Sequence, residues 1–421
     1  MKSVSTIIND INTGMYDVRL SELYVSSHID KQKERYIKLL EKFMNLYGDL
    51  DVMVFSTPGR SEVSGNHTDH QRGEVLAASI NLDMIAVASQ DDIVKVISDE
   101  YDLKPIDPSD LDIKEEEKGT SEGLIRGVLA GLKQEGIEIR GFKALITSDV
   151  LQGSGLSSSA AFEDMIGLIE TRLYGEDVDP VTIAKIGQYS ENNYFGKPCG
   201  LMDQCACSVG GLIHIDFKDD PVVERVDVDF SAFHSSLCIV DVHASHADLT
   251  EDYAAIPREM KAVANVFGKE VLRDVDEETF YARLNDVREA VNDRAVLRAI
   301  HFFDEDKRVK AAVKALNHQD YLTFKKVIRS SGDSSYRFLQ NIYAPTDASH
   351  QAVAIALALS ERCLGKHGVC RVHGGGFAGT IQAFVDDDFV ETYKAMIETY
   401  FGEGSCHVLK IRPMGISVVI E

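Results

Sequence analysis

No window of this 421-residue chain approaches the ~18 consecutive apolar residues of a membrane-spanning helix, so none is predicted. A basic patch is also missing. The formal net charge is -24, and lysines and arginines are dispersed among acids, as in "HIDKQKERYIKLLEKF". Such a chain is repelled by nucleic acid. The seven cysteines (Cys199, Cys205, Cys207, Cys238, Cys363, Cys370 and Cys406) include no C-x-x-C pair. Their odd number and irregular spacing argue against a disulfide framework and a zinc site. They read as reduced thiols in a cytoplasmic protein. The N-terminus "MKSVSTIINDINTGMYD" has no long apolar stretch and does not read as a secretion signal. No repeat, low-complexity segment or G-x-x-x-x-G-K-[ST] phosphate loop is found.

Hydrophobic and charged contents of 44% and 27% are globular values, and the length exceeds one ordinary core. Two domains are expected, divided near residue 225 in "FKDDPVVERVDVDF". Residues 20–47 read as one helix, with Tyr36, Leu39, Leu40, Phe43 and Leu46 on one face and Gly48 closing it. "DVMVFSTPGR" reads as a buried strand running into a Pro-Gly turn, and "GEVLAASINLDMIAVASQ" as strands. Asp179 and Pro180 open a helix as N-cap and first residue. "GGLIHIDF" and "SSLCIVDVHA" are strands, residues 250–340 are mainly helical, "GVCRVHGGGFAGTIQAFV" is strand–turn–strand, and "ISVVIE" is a final strand. Grouped helices with hairpin-like strands predict an α+β fold.

Four segments carry chemistry. "SGNHTDHQRG" (64–73) sets two histidines, an aspartate, an asparagine and an arginine behind the apolar "VMVF". "QGSGLSSSAAFE" (152–163) leads from glycines and serines into a helix. It suits either phosphate oxygens at a helix N-terminus or an ordinary helix entry. "VHGGGFAG" (372–379) is a glycine turn between strands, which a hairpin alone explains. "KPCGLMDQ" (197–204) has an aspartate in an apolar setting, read either as a base of raised pKa or as a helix cap.

Taken together, "STPGRSEVSGNHTDHQRGEVL", "GSGLSSSAA", "ENNYFGKPCGLMDQ" and "RVHGGGFAGT" resemble, in order and spacing, the motifs of the GHMP small-molecule kinases, specifically the galactokinase branch. The resemblance covers residues 51–421. It implies two α+β domains, 51–225 and 226–421, with the active site in the cleft between them; residues 1–50 lie outside the resemblance and read as an added helical extension. It implies a cytoplasmic sugar 1-kinase that binds ATP and a small sugar and is a monomer or weak oligomer. ATP is expected along Gly153, Ser154, Gly155, Leu156, Ser157 and Ser158, with Mg²⁺ on Ser158 and Glu191. Hard oxygen ligands suit that ion. The resemblance makes Asp203 the catalytic base and Arg60 the stabiliser of charge near the attacking oxygen. For Arg60, Glu191 and Tyr253 the alternatives are a surface ion pair, an exposed helix residue and a core tyrosine.

Asp69 falls where the family grips the C3 and C4 hydroxyls, and His67, Gly200 and Tyr253 fall on other sugar-contacting positions. The motif departs from the family pattern G-R-V-N-L-I-G-E-H-T-D-Y: Glu62 stands for its asparagine, Asn66 for its glutamate and His70 for its tyrosine. That glutamate holds the sugar's C6 hydroxyl in the family. Three readings of the sugar follow: Glu62 and Asn66 exchange roles and galactose is retained, the pocket takes a C6 carboxylate as in galacturonate, or C6 is absent as in arabinose; because most of the motif set resembles galactokinases, the expected substrate is galactose. A non-catalytic sugar sensor and a kinase of mevalonate or homoserine are the rivals. "GLSSSAA", "HTDH" and "CGLMDQ" disfavour them.

Overall fold

The computed structural model describes residues 1–26, 28–99, 101–150, 155–243, 249–377 and 379–421. Its larger sheet has nine strands. The order along its main path is Lys2–Ser3, Asp51–Ser64, Glu74–Asp91, Gly141–Ser148, Lys95–Ser98, Tyr101–Asp102. Leu212–Asp216 pairs with Glu74–Asp91, Val222–Val226 pairs with Leu212–Asp216, and Ser417–Ile420 returns to pair with Asp51–Ser64. The final strand thus joins the sheet of the first half of the chain. The second sheet is antiparallel, in the order Gly368–Val372, Thr380–Asp386, Ser235–Asp241, Cys406–Leu409.

The apolar run "VMVF" is continuous because both faces of its strand are covered. Met53 and Phe55 join Met84, Ala86, Ala144 and Ile146 against the helices Ser121–Gln134 and Ser158–Leu173. Val52 and Val54, one residue out of phase, join Ile85, Val87 and Leu145 against N-terminal residues such as Ile7, Leu20, Tyr36 and Phe43. This is the period-two alternation of a strand between two layers. The N-terminal layer is also bonded through the buried Asp83, which accepts from Tyr24 Oη (2.8 Å) and Arg35 Nη1 (2.6 Å).

Two expectations fail locally. The predicted helix over 20–47 is two helices, Asp17–Tyr24 and Asp30–Tyr47, because Val25 takes a left-handed conformation (φ 49°) and ends the first. Gly48 does close the second, at φ 87°. The Pro-Gly turn is instead an uninterrupted strand, Asp51–Ser64. Register slips between Pro58 and Arg60, so the missing proline N–H falls at a bulge rather than breaking the ladder. Asp179 caps the helix Pro180–Ser190 as predicted, accepting from Val181 N and Thr182 N.

Candidate active site

The bulge aims Arg60 at the helix Met202–Val209. Its Nε and Nη2 donate to Asp203 Oδ1 and Oδ2 at 2.7 and 2.6 Å. Its Nη1 donates to the Gly155 carbonyl, and its backbone N–H to Leu156 O at 3.1 Å. The Ser157 hydroxyl also donates to Asp203. Arg60 is 8% exposed, which removes the surface-pair reading. Asp203 lies in the first turn of its helix, yet its carboxylate bonds Arg60 and Ser157 rather than capping the helix. The expected raised pKa is corrected here. Burial pushes it up, but the Arg60 charge and hydrogen bonds from Arg60 and Ser157 outweigh burial and hold it below its ordinary value.

Gly153 and Ser154 lie outside the described residues. Gly155 and Ser157 both have positive φ (69° and 56°) and turn the chain into the helix Ser158–Leu173. That helix has no side-chain cap, because the Ser157 hydroxyl goes to Asp203. Its first-turn N–H groups are therefore left for an anion. Leu156 is fully buried in apolar contacts, so only its backbone belongs to the loop.

Glu191 is 4% exposed and is not a solvated helix residue. It ends the helix Pro180–Ser190 and opens a π-turn, Glu191–Phe195. Gln204 Nε2 donates to both Glu191 Oε2 (3.1 Å) and Glu163 Oε2 (3.0 Å), and Lys197 Nζ lies 3.4 Å from Glu191 Oε1. Glu163 Oε1 is buried with no partner. The two carboxylates, Glu191 and Glu163, the latter with one oxygen unpartnered among the described residues, make an acidic corner that suits a divalent cation. Among the described residues no bond joins Ser158 to Glu191, and no group of three His, Cys, Asp or Glu could hold a metal.

The chain reverses after Ser64 at Gly65 (φ 102°), held by the buried Glu305, which accepts from Gly65 N (3.1 Å) and Ser64 Oγ (3.2 Å). His301 Nε2 donates to Asn66 O at 2.9 Å. A directed chain follows: Gln71 Nε2 to His70 Nδ1, His70 Nε2 to His67 Nδ1, and His67 Nε2 to Gly375 O. It requires both rings neutral, and burial lowers the His67 pKa to about 4 and that of His70 well below its usual value. Asp69 is pushed up by burial and by the nearby Asp203 charge. Gly200 faces it so closely that an added Cβ would lie 2.9 Å from Asp69 Oδ2. Tyr253 donates from its hydroxyl to Gly376 O (2.7 Å) and packs edge-on to Phe377. It thus braces the glycine turn.

Asn66 is fully buried. Its Nδ2 donates to Glu62 Oε1 (3.1 Å) and Gly374 O (2.7 Å), and its Oδ1 accepts from Asn341 Nδ2 (2.9 Å) and Ser335 Oγ (3.3 Å). Glu62 Oε1 also accepts from Arg371 Nη2 at 3.0 Å. Sequence reasoning missed Arg371, Asn341, His301 and Glu305. The signal for Arg371 was its place three residues before the glycines Gly374–Gly376. His301 and Glu305 sit in the helix Asp293–Asn317 and Asn341 lies just beyond the turn Ser335–Leu339, none with a local mark. A cavity of about 810 Å³ lined by Asp91, Lys133, Arg140 and Tyr174 among others contains none of the predicted site residues.

Two family matches fall on this architecture: the GHMP kinases N terminal domain over residues 123–211 and the galactokinase galactose-binding signature over residues 41–90. The second reaches back into the helix Asp30–Tyr47. A galactokinase of Actinobacillus pleuropneumoniae serotype 5b is 32% identical over 367 residues, covering 85% of this chain and 91% of the relative. A galactokinase of Streptomyces coelicolor is 29% identical, covering 86% and 92%. Among solved structures, Lactococcus lactis galactokinase complexed with galactose superposes with a TM-score of 0.75 at 24% identity, covering 90% of this chain and 98% of that one. Mevalonate kinase of Methanococcus jannaschii gives 0.61 at 15% identity, covering 86% and 98%.

Proposed function

The chain belongs to the galactokinase branch of the GHMP kinases, and from that membership we propose that it transfers the γ-phosphate of ATP to the anomeric hydroxyl of galactose. One observation carries the assignment of roles: the Arg60–Asp203 pair lies beside the uncapped N-terminus of Ser158–Leu173. A base, a fixed cation and free N–H groups thus share one space. In the proposed reaction Asp203 orients the anomeric hydroxyl and takes its proton as the oxygen meets the phosphorus. Arg60 stabilises the negative charge shared by carboxylate and attacking oxygen, and its planar fork keeps the carboxylate aimed.

The backbone N–H groups at the start of Ser158–Leu173 bind phosphate oxygens. Gly155 and Ser157 shape that approach. Mg²⁺, held by Ser158, Glu191 and the phosphates, would neutralise phosphate charge when bound. Asp69 accepts from the C3 and C4 hydroxyls, and its close neighbour Gly200 leaves room for the ring. His67 and Tyr253 hold the turn Gly374–Gly376 against the sugar loop. Among the described residues no helix is long and apolar enough to cross a membrane.

An ADP-release assay with galactose, galacturonate, arabinose, N-acetylgalactosamine and glucose tests the reading. Galactose is expected to give the highest kcat/KM. Preference for galacturonate or arabinose would replace galactose as the substrate, and no ADP release with any sugar would favour the sensor.

A further inference from the structure

We propose that Glu62, not Asn66, is the carboxylate that meets the C6 end of the sugar, and that Asn66 and Arg371 are positioning residues that aim it. The inference rests on the galactokinase reading and deepens it. An asparagine side chain has two amide protons and two carbonyl lone pairs. All four are engaged here, with Glu62, Gly374, Asn341 and Ser335. The amide orientation follows from its partners, because the Glu62 carboxylate and the Gly374 carbonyl can only accept. Asn66 is also wholly buried. It has neither the capacity nor the exposure to contact a substrate.

Glu62 is in the opposite position. Arg371 Nη2 and Asn66 Nδ2 both bond Oε1. Oε2 has no hydrogen-bond partner among the described residues, and 8% of the side chain reaches solvent. Glu62 follows Arg60 by two residues on the strand Asp51–Ser64, with no register slip between them, so the two side chains leave the same face of the strand and Glu62 faces the proposed site alongside Arg60. Arg371 is fully buried and donates Nη1 to Val63 O at 2.9 Å, which fixes the guanidinium on the strand carrying Glu62. The strand slips register between Glu62 and Ser64 and reverses at Gly65. Residues four apart, which a straight strand would separate by about 13 Å, therefore touch at 3.1 Å. The two side chains have exchanged places within one pocket.

The exchange selects a class of sugar. A C6 hydroxyl can donate to Oε2. A C6 carboxylate would add a further acid beside Glu62 and Asp69, whose pKa values burial and neighbouring acids already push up, and would be disfavoured. The substrate is therefore a galactose-type sugar with a neutral, hydrogen-bonding C6 group, not a uronate.

The experiment compares galactose with 6-deoxygalactose in the wild type, Glu62→Gln, Asn66→Glu and the double exchange Glu62→Asn/Asn66→Glu. Wild type is expected to prefer galactose by about 10- to 100-fold in kcat/KM, the scale of one hydrogen bond to a charged group. In Glu62→Gln that preference is expected to collapse, with KM for ATP unchanged. A merely structural role would not move the sugar ratio. Asn66→Glu sets two carboxylates in contact and should abolish galactose use, while the double exchange should restore it to within a few-fold of wild type. The inference is overturned if wild type does not distinguish the two sugars, if Glu62→Gln keeps the wild-type preference, or if the double exchange is no better than Asn66→Glu. Wild type that turns over neither sugar overturns the kinase reading, and this inference with it.

Discussion

Arg60 and Asp203 are joined by two parallel hydrogen bonds, 2.7 Å and 2.6 Å long, although 143 residues separate them in the chain. The pairing holds the carboxylate below its ordinary pKa of 3.8, against the effect of burial. Such a carboxylate is a weak base for a resting hydroxyl. It suffices in phosphoryl transfer, where the proton is lost as the new O–P bond forms and the oxygen becomes acidic. Asp203→Asn should therefore bind ATP normally and lose about 100-fold or more in kcat. Near-normal turnover would remove Asp203 as the base.

The same pair sets the acid limb of the pH profile. With Arg60 present, Asp203 stays ionised to below its ordinary value, so kcat/KM should show no Asp203 limb near neutrality. Arg60→Met removes the opposing charge and leaves burial, so the limb should move to higher pH as well as the maximum rate falling. A limb at unchanged pH would mean that Arg60 does not control Asp203.

Gly200 tests Asp69. A Cβ there would come within 2.9 Å of Asp69 Oδ2. The carboxylate is the mobile end of a side chain, so it can swing aside at little cost to the fold. Gly200→Ala is expected to raise KM for galactose about tenfold or more while leaving KM for ATP and the melting temperature near wild type. An equal rise in both KM values would contradict a sugar-side role.

Glu191→Gln should shift the Mg²⁺ titration midpoint upward, with activity partly recovered at high Mg²⁺, because an amide oxygen is a weaker ligand than a carboxylate. An unchanged midpoint would reduce Glu191 to a structural partner of Gln204.

Glu170, far from this chemistry, gives a stability prediction. It is 1% exposed, accepts from Arg140 N at 2.7 Å through Oε1, and has no partner for Oε2. Burial raises its pKa from an ordinary 4.5 to about 7. Folded protein thus binds the proton more tightly than unfolded protein. The stabilisation is complete below about pH 4.5 and lost as pH rises to about 7, a change on the order of 3 kcal/mol. Glu170→Gln does not titrate. Its unfolding free energy relative to wild type should rise between these pH values and level off above them. A difference independent of pH would refute the shift.

The local signals read best. The apolar run "VMVF" of a buried strand, the Asp179–Pro180 helix start and the Gly48 stop are set within a few residues, and each appears as expected. The misreadings arise where neighbours in space decide. Pro58–Gly59 has a turn's composition, yet pairing with Glu74–Asp91 and a bulge keep it in a strand. Val25 ends one helix and divides the span 20–47, for which apolar spacing over 36–46 alone predicts a single helix. The partners of Asn66 come from positions 62, 335, 341 and 374. No spacing rule links them, so only the fold could reveal that this asparagine is saturated.

The most direct test of the central claim is the identity of the product. Wild-type enzyme, ATP, Mg²⁺ and galactose should yield a single new phosphate monoester whose phosphorus couples to the anomeric proton in a ³¹P–¹H correlation spectrum, with ADP formed in equal amount. A phosphorus resonance coupled to any other ring position, or ADP formed without a sugar phosphate, would contradict the assignment of Asp203 and Arg60 to the anomeric oxygen.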